Sequence, residues 1–186
     1  MNDDAPERRD VRGAARLLGI LALPLVVADQ VTKYLALRHL TTGVSRPVVG
    51  NVLRLSLTFN TGAPMGIPVG SHGRVVMGCL AFIVLCVLLV LLLRSPRSAR
   101  VLRVCLAVVV AGAVGNLIDR VARPAGVVDF IDAGIGVHRF WSFNVADSCV
   151  TCGAIALIVL LGRSGPREPG SAAAPSSGAS QPGRIV

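Results

Sequence analysis

Two aspartates stand in surroundings that would set their carboxyls apart. Asp129 lies in Val127-Val128-Asp129-Phe130-Ile131-Asp132, a strongly apolar setting for a loop carboxylate, and burial there would raise its pKa. Asp147 lies in Phe143-Asn144-Val145-Ala146-Asp147-Ser148, in the first turn of an apolar helix, where the helix N-terminus favours an anion. One acid pushed toward neutral and one held ionised can share a proton, activate a water and protonate a leaving amine. Taken singly, an aspartate at a helix start is a cap. The combination carries the catalytic reading.

Other polar groups sit beside or inside apolar runs, where they are costly and are candidates for function. Asp29 and Lys33 are one helical turn apart and read first as an ion pair that neutralises both. Asn116, Asp119 and Arg120 close an apolar run in Gly115-Asn116-Leu117-Ile118-Asp119-Arg120, with spacings that put them on one side of a helix end. Asp119 with Arg120 can anchor that end, or an Asn or Arg there can face a substrate. No metal or cofactor is expected: no H-E-x-x-H spacing occurs, and His39, His72 and His138 are scattered. The five cysteines (Cys79, Cys86, Cys105, Cys149, Cys152) all fall in apolar runs and read as small buried hydrophobes rather than as a disulfide or zinc framework.

The elements that must position these residues are membrane helices. Of the 186 residues 53% are apolar and only 16% charged, against about 25% charged in soluble domains. The net charge of +9 is therefore read as membrane-flanking arginines rather than nucleic-acid binding. Apolar stretches long enough to span are expected at about 17–37, kinked at Pro24, and at 75–93, 104–118 and 143–162. Ala111 and Gly115 offer a small-xxx-small packing face on the third. Residues 1–13 and 163–186 read as disordered cytoplasmic tails, and the first run as a retained span rather than a cleaved leader. Arginines at 8–16, 94–103, 163, 167 and 184 place both termini and the 94–103 loop in the cytoplasm. No acid occurs between positions 30 and 118, so the carboxylates gather near the outer face. Within the outer loop 41–73, Leu53 to Phe59 alternates as a half-buried strand, its Leu face expected toward lipid or substrate. The fold class is an all-α polytopic membrane protein: a four-transmembrane-helix bundle over 14–162, with a small extracytoplasmic β-sheet between helices 1 and 2.

Five segments together resemble the lipoprotein signal peptidase (type II signal peptidase) family. They are Asp29-Gln30-x-x-Lys33, Asn60-Thr61-Gly62-Ala63, Gly115-Asn116-Leu117-Ile118-Asp119-Arg120, Val127-Val128-Asp129-Phe130 and Phe143-Asn144-x-Ala146-Asp147. They occur in the family's order over roughly residues 14–162. The resemblance implies an intramembrane aspartyl endopeptidase in a bacterial cytoplasmic membrane. It would act as a monomer on diacylglyceryl-modified prolipoproteins, cut just before the lipidated lipobox cysteine, and be sensitive to globomycin-type cyclic peptides. It implies Asp129 and Asp147 as the dyad, with Asn60, Gly62, Asn116, Arg120 and Asn144 lining the site or orienting substrate. Asp29 and Lys33 would support the fold beneath, and the sheet would cradle substrate. From its motif alone Asp119 could also partner Asp147; the family pattern favours Asp129. The chain departs from the family at Pro64-Met65, where another Ala and an aromatic are usual.

The alternative is a small proton-coupled transporter using Asp29, Asp119 and Asp147 as a relay. It calls for carboxylates spread through the bilayer depth or for an internal repeat, and the sequence has neither.

Overall fold

In a bilayer core every backbone N–H and C=O must be satisfied within the chain, so an apolar run of this length forms a helix. The computed structural model describes residues 10–61 and 73–163, the side chain of Arg74 excepted. It contains four helices long and apolar enough to cross a membrane. The first comprises α1 (Val11–Leu17), a π-helical turn over Leu18–Ala22, and α2 (Leu23–His39). Pro24 falls in the first turn of α2, where its missing N–H is tolerated. The expected disturbance at Pro24 is thus a widened turn just before it. The other three are α3 (Gly73–Arg94), α4 (Arg100–Ala122) and α5 (Val145–Arg163).

The first helix begins at Val11, earlier than the apolar run alone suggests, because Asp10 caps it through the Gly13 amide. Asp10 also pairs with Arg97 and Arg103 at 2.9 and 2.8 Å. These bonds, the Arg103 bond foremost, hold its carboxyl down at about 2. The rest of the expected tails, residues 1–9 and 164–186, lies outside the described residues.

α4 is the central helix. Of its most apolar stretch 56% is buried inside the protein, against 11% to 17% for the other three. It achieves this with small residues: a Cβ on Gly115 would stand 2.6 Å from an Asp29 carboxylate oxygen and 3.1 Å from Ala146 Cβ. α2, α4 and α5 therefore meet at backbone range, and the polar groups they carry are forced together. Of the cysteines only Cys105 and Cys149 are buried; Cys79, Cys86 and Cys152 lie on the bundle's exterior, so the all-buried expectation held for two of five.

At one end of the bundle sits an antiparallel sheet in the order β1 (Ser45–Val49), β2 (Leu53–Asn60), β3 (Val127–Ile135), β4 (His138–Arg139). The sequence reading placed the sheet between the first two spans only. Half of it, β3 and β4, comes instead from the connection between α4 and α5. The Leu face of β2 also differs from expectation. Leu57 is buried with Ala36, Val128 and Phe130, and Leu55 packs against that cluster, so the face docks on the end of α2 rather than facing lipid. Packing the sheet onto the helix ends removes these side chains from water, at roughly 1.5–3 kcal/mol for each large one fully buried.

Candidate active site

β3 carries Asp129 and is fastened on both sides. On one side Thr58 pairs with Asp129 and Asn60 with Val127, so Thr58 and Asn60 share the sheet face of Asp129. Gly126, with φ +101°, starts the strand where a Cβ would overlap the Asn60 carbonyl. On the other side the Phe130 and Ile131 amides donate to the Phe143 carbonyl, and the Phe143 amide donates back to Ile131. That second connection ties β3 to the start of α5, and hence Asp129 to Asn144 and Asp147.

Asn144 caps α5 in a reciprocal arrangement. Its Oδ1 accepts from the Asp147 amide at 2.9 Å, and Asp147 Oδ2 accepts from the Asn144 amide at 3.2 Å. This is the capping-box geometry with Asn and Asp in the two roles. The Asn144 amide nitrogen is left to point the other way. It donates to Asp129 Oδ1 at 2.6 Å, and lies 3.2 Å from both the Val128 carbonyl and Asn116 Oδ1. One fully buried residue thus touches both carboxylates, Asp129 through its side chain and Asp147 through its backbone amide.

Asp129 is 3% exposed. Its burial, and next the negative charge of Asp147, push its carboxyl from 3.8 up to about 7. Hydrogen bonds from Asn144 and Asn60, with the charge of Lys33, pull the other way. Asp147 is half-buried and serves as acceptor on both oxygens, the second partner being Asn116 Nδ2 at 2.7 Å. The two acids are unlike: one is in a dry pocket biased toward its neutral form, the other at a helix N-terminus among N–H donors.

Beneath the pair lies a second polar layer centred on Lys33, which is fully buried. Its ammonium meets Asp29 Oδ2 at 2.8 Å, Asp119 Oδ2 at 3.0 Å and Asn116 Oδ1 at 3.0 Å, so each of its three protons has an acceptor. Holding Asn116 by its oxygen turns the Asn116 NH₂ toward Asp147. Asp29 spends its other oxygen on the Ala146 amide at 2.9 Å, supporting the first turn of α5.

Asp119 is fully consumed by structure. Its Oδ2 accepts from Lys33 and from the Val128 amide at 3.0 Å; its Oδ1 accepts from Arg123 and from Gln30 Nε2. Arg120, the expected partner of Asp119 in anchoring the helix end, makes no ion pair with it among the described residues. The neutralising cations are instead Lys33 and Arg123, because Arg123 shares the helix face of Asp119 at i+4 whereas the adjacent position turns away. Arg120 donates to the Asn116 carbonyl at 3.2 Å and lies within electrostatic reach of both Asp147 and Asp129. Its Nε is buried without a partner among the described residues. It also borders an open groove of about 600 Å³ between α3 and α4, walled by Val75, Phe82, Ile83 and Leu117.

Thus Asp129, Asp147, Asn116, Asn144, Asn60, Asp29, Lys33, Asp119 and Arg120 gather at one end of the bundle. Gly62 and the Pro64-Met65 departure lie outside the described residues. Asp132 is diverted to Arg139 at 2.9 Å. Gln30 and Arg123 were given no role from sequence. The i, i+4 spacing of Asp119 and Arg123 was the available signal for one; nothing local marks the other, which bridges Asp29, Asp119, Arg123 and the Gly115 carbonyl.

A family model described as signal peptidase (SPase) II matches residues 21–162. The lipoprotein signal peptidase of Geobacillus kaustophilus (strain HTA426) is 39% identical over 139 residues, 75% of this chain and 88% of that protein. The lipoprotein signal peptidase of Treponema denticola is 34% identical over 149 residues, 76% of this chain and 86% of that protein. A bacterial membrane enzyme solved by the in meso method is similar in fold, with a TM-score of 0.72 at 30% identity, covering 89% of this chain and 98% of that one.

Proposed function

The chain belongs to the signal peptidase II family, and on that premise we propose that it is an aspartyl endopeptidase that removes the signal peptide from diacylglyceryl-modified prolipoproteins. It is a multi-pass bacterial membrane protease. Neither the family nor its relatives support the transporter alternative. The observation that carries the aspartyl reading is Asn144, whose side-chain amide donates to Asp129 while its backbone N–H donates to the Asp147 carboxylate and its Oδ1 accepts from the Asp147 amide.

The chemistry follows from the asymmetry of the two acids. Asp129, with its carboxyl at about 7, holds the shared proton and donates a hydrogen bond to the scissile carbonyl. Asp147 takes a proton from the attacking water, whose oxygen bonds to the carbonyl carbon. Collapse of the tetrahedral adduct breaks the C–N bond as that proton passes to the leaving amine, and the dyad returns to its starting state. Arg120, with an unspent Nε, bonds a substrate carbonyl. The groove between α3 and α4 admits the signal helix, and Asn60 on the neighbouring strand fixes the peptide. The cut falls just before the lipidated cysteine, whose acyl chains stay in the bilayer. The arginine distribution supports an orientation with both termini in the cytoplasm and the sheet and dyad near the outer face.

The test is cleavage by the purified protein of a prolipoprotein with and without the diacylglyceryl group. The reading expects a cut before the cysteine in the modified substrate only. Equal cutting of both forms, or of neither with a known enzyme active in parallel, contradicts it.

A further inference from the structure

At the end of the bundle opposite the dyad, α4 and α5 border two apolar hollows of about 360 and 430 Å³. They share Val101 and Leu160 and so adjoin as one grooved face, walled also by Leu102, Ile155 and Val159. Arg100 borders one hollow and Arg163 the other, and no acidic residue lines either. Both arginines are exposed and neither makes an ion pair among the described residues. Arg97 and Arg103, by contrast, are spent on Asp10. The amino end of α4 faces the same place; its cap Ala99 supplies no side-chain hydrogen bond, and although the Arg100 amide is spent on the Ser98 carbonyl, the next first-turn amides are left open to an anion.

We propose that this groove binds an anionic phospholipid of the leaflet opposite the dyad, its phosphate between Arg100 and Arg163 and one acyl chain along the α4–α5 seam. Dimensions and charge both select this occupant. From Cys152 to Arg163 the seam runs roughly 16 Å at about 1.5 Å per helical residue, about half of a hydrocarbon core of ~30 Å. The groove is therefore one leaflet deep. Its charged end lies at the helix termini, where headgroups lie, and a phosphate suits two guanidiniums and open amides, which a zwitterion's ammonium does not. The inference rests on the membrane-spanning reading of α4 and α5 and is independent of catalysis.

Native mass spectrometry of the full-length protein in detergent reads the site directly, using phosphatidylglycerol and phosphatidylcholine of identical acyl chains. The wild type retains phosphatidylglycerol preferentially, and R100Q/R163Q loses that preference by roughly 30-fold, from the typical worth of two surface arginines. A156F, which fills the seam, loses the bound lipid while its cleavage activity and melting temperature stay at wild-type level. Equal retention of the two lipids by wild type, or an intact preference in R100Q/R163Q, overturns the proposal. So does displacement by glycerol 3-phosphate alone, which would mark a headgroup site without a chain. Lipid binding that emerges only after residues 164–186 are removed would assign the groove to the tail and overturn it too.

Discussion

Replacing Asn144 with serine separates its two contacts. A serine hydroxyl still accepts from the Asp147 amide, so the helix cap is kept, but it is too short to donate to Asp129. The bond lost is the 2.6 Å contact to a carboxylate, of the charge-assisted kind worth about 1.5–3 kcal/mol. At about 1.4 kcal/mol per pKa unit that is a shift of roughly one to two units. The sign follows from the donor: the Asn144 N–H stabilises the ionised form of Asp129, so its loss leaves the proton on to higher pH. If Asp129 must be protonated to act, kcat/KM of the wild type falls as pH rises through about 7, and in N144S that limb moves up by roughly a unit or more. Turnover at the optimum also drops, on the order of 100-fold, because the dyad loses its bridge. The assay is hydrolysis of a fluorescence-quenched diacylglyceryl lipopeptide in mixed micelles between about pH 5 and 9. An unmoved basic limb with unchanged turnover would refute the reasoning.

Two further outcomes concern stability. The folded-state pKa of Asp129 lies above its unfolded value, so its contribution is complete below 3.8 and is lost as pH rises through about 7. D129N should therefore melt a few degrees above wild type near pH 8, the gap closing near pH 4; a gap of opposite sign in detergent melting curves contradicts this. D119N should destabilise the protein by about 3–5 kcal/mol, since it strips a charge from fully buried Lys33. Activity should fall only in step with the folded fraction, and a fully folded yet inactive D119N would make Asp119 a chemical participant instead.

The helices were legible because composition over about twenty residues decides them, and Asp29 with Lys33 because their pairing is local. β3 was read as a loop for a physical reason. Val127, Val128, Asp129 and Phe130 are all buried, so the strand lacks the alternation that marks one wet face, and its pairing with β2 joins positions far apart in sequence. The same distance hides the Lys33–Asp119 contact, so Asp119 could stand as a rival acid until both its oxygens were seen to be occupied. The Leu face of β2 was recognised, but which surface it meets depends on where α2 ends. The Asn144-x-x-Asp147 box is written plainly in the chain; that the free amide of Asn144 then meets Asp129 is a product of the fold.

The most direct test of the dyad is single-turnover cleavage of diacylglyceryl prolipoprotein by wild type, D129N and D147N, each shown folded by its melting curve. The account predicts that both variants bind substrate and fail to cut it at any pH. Cleavage by folded D129N or D147N near the wild-type rate would contradict it.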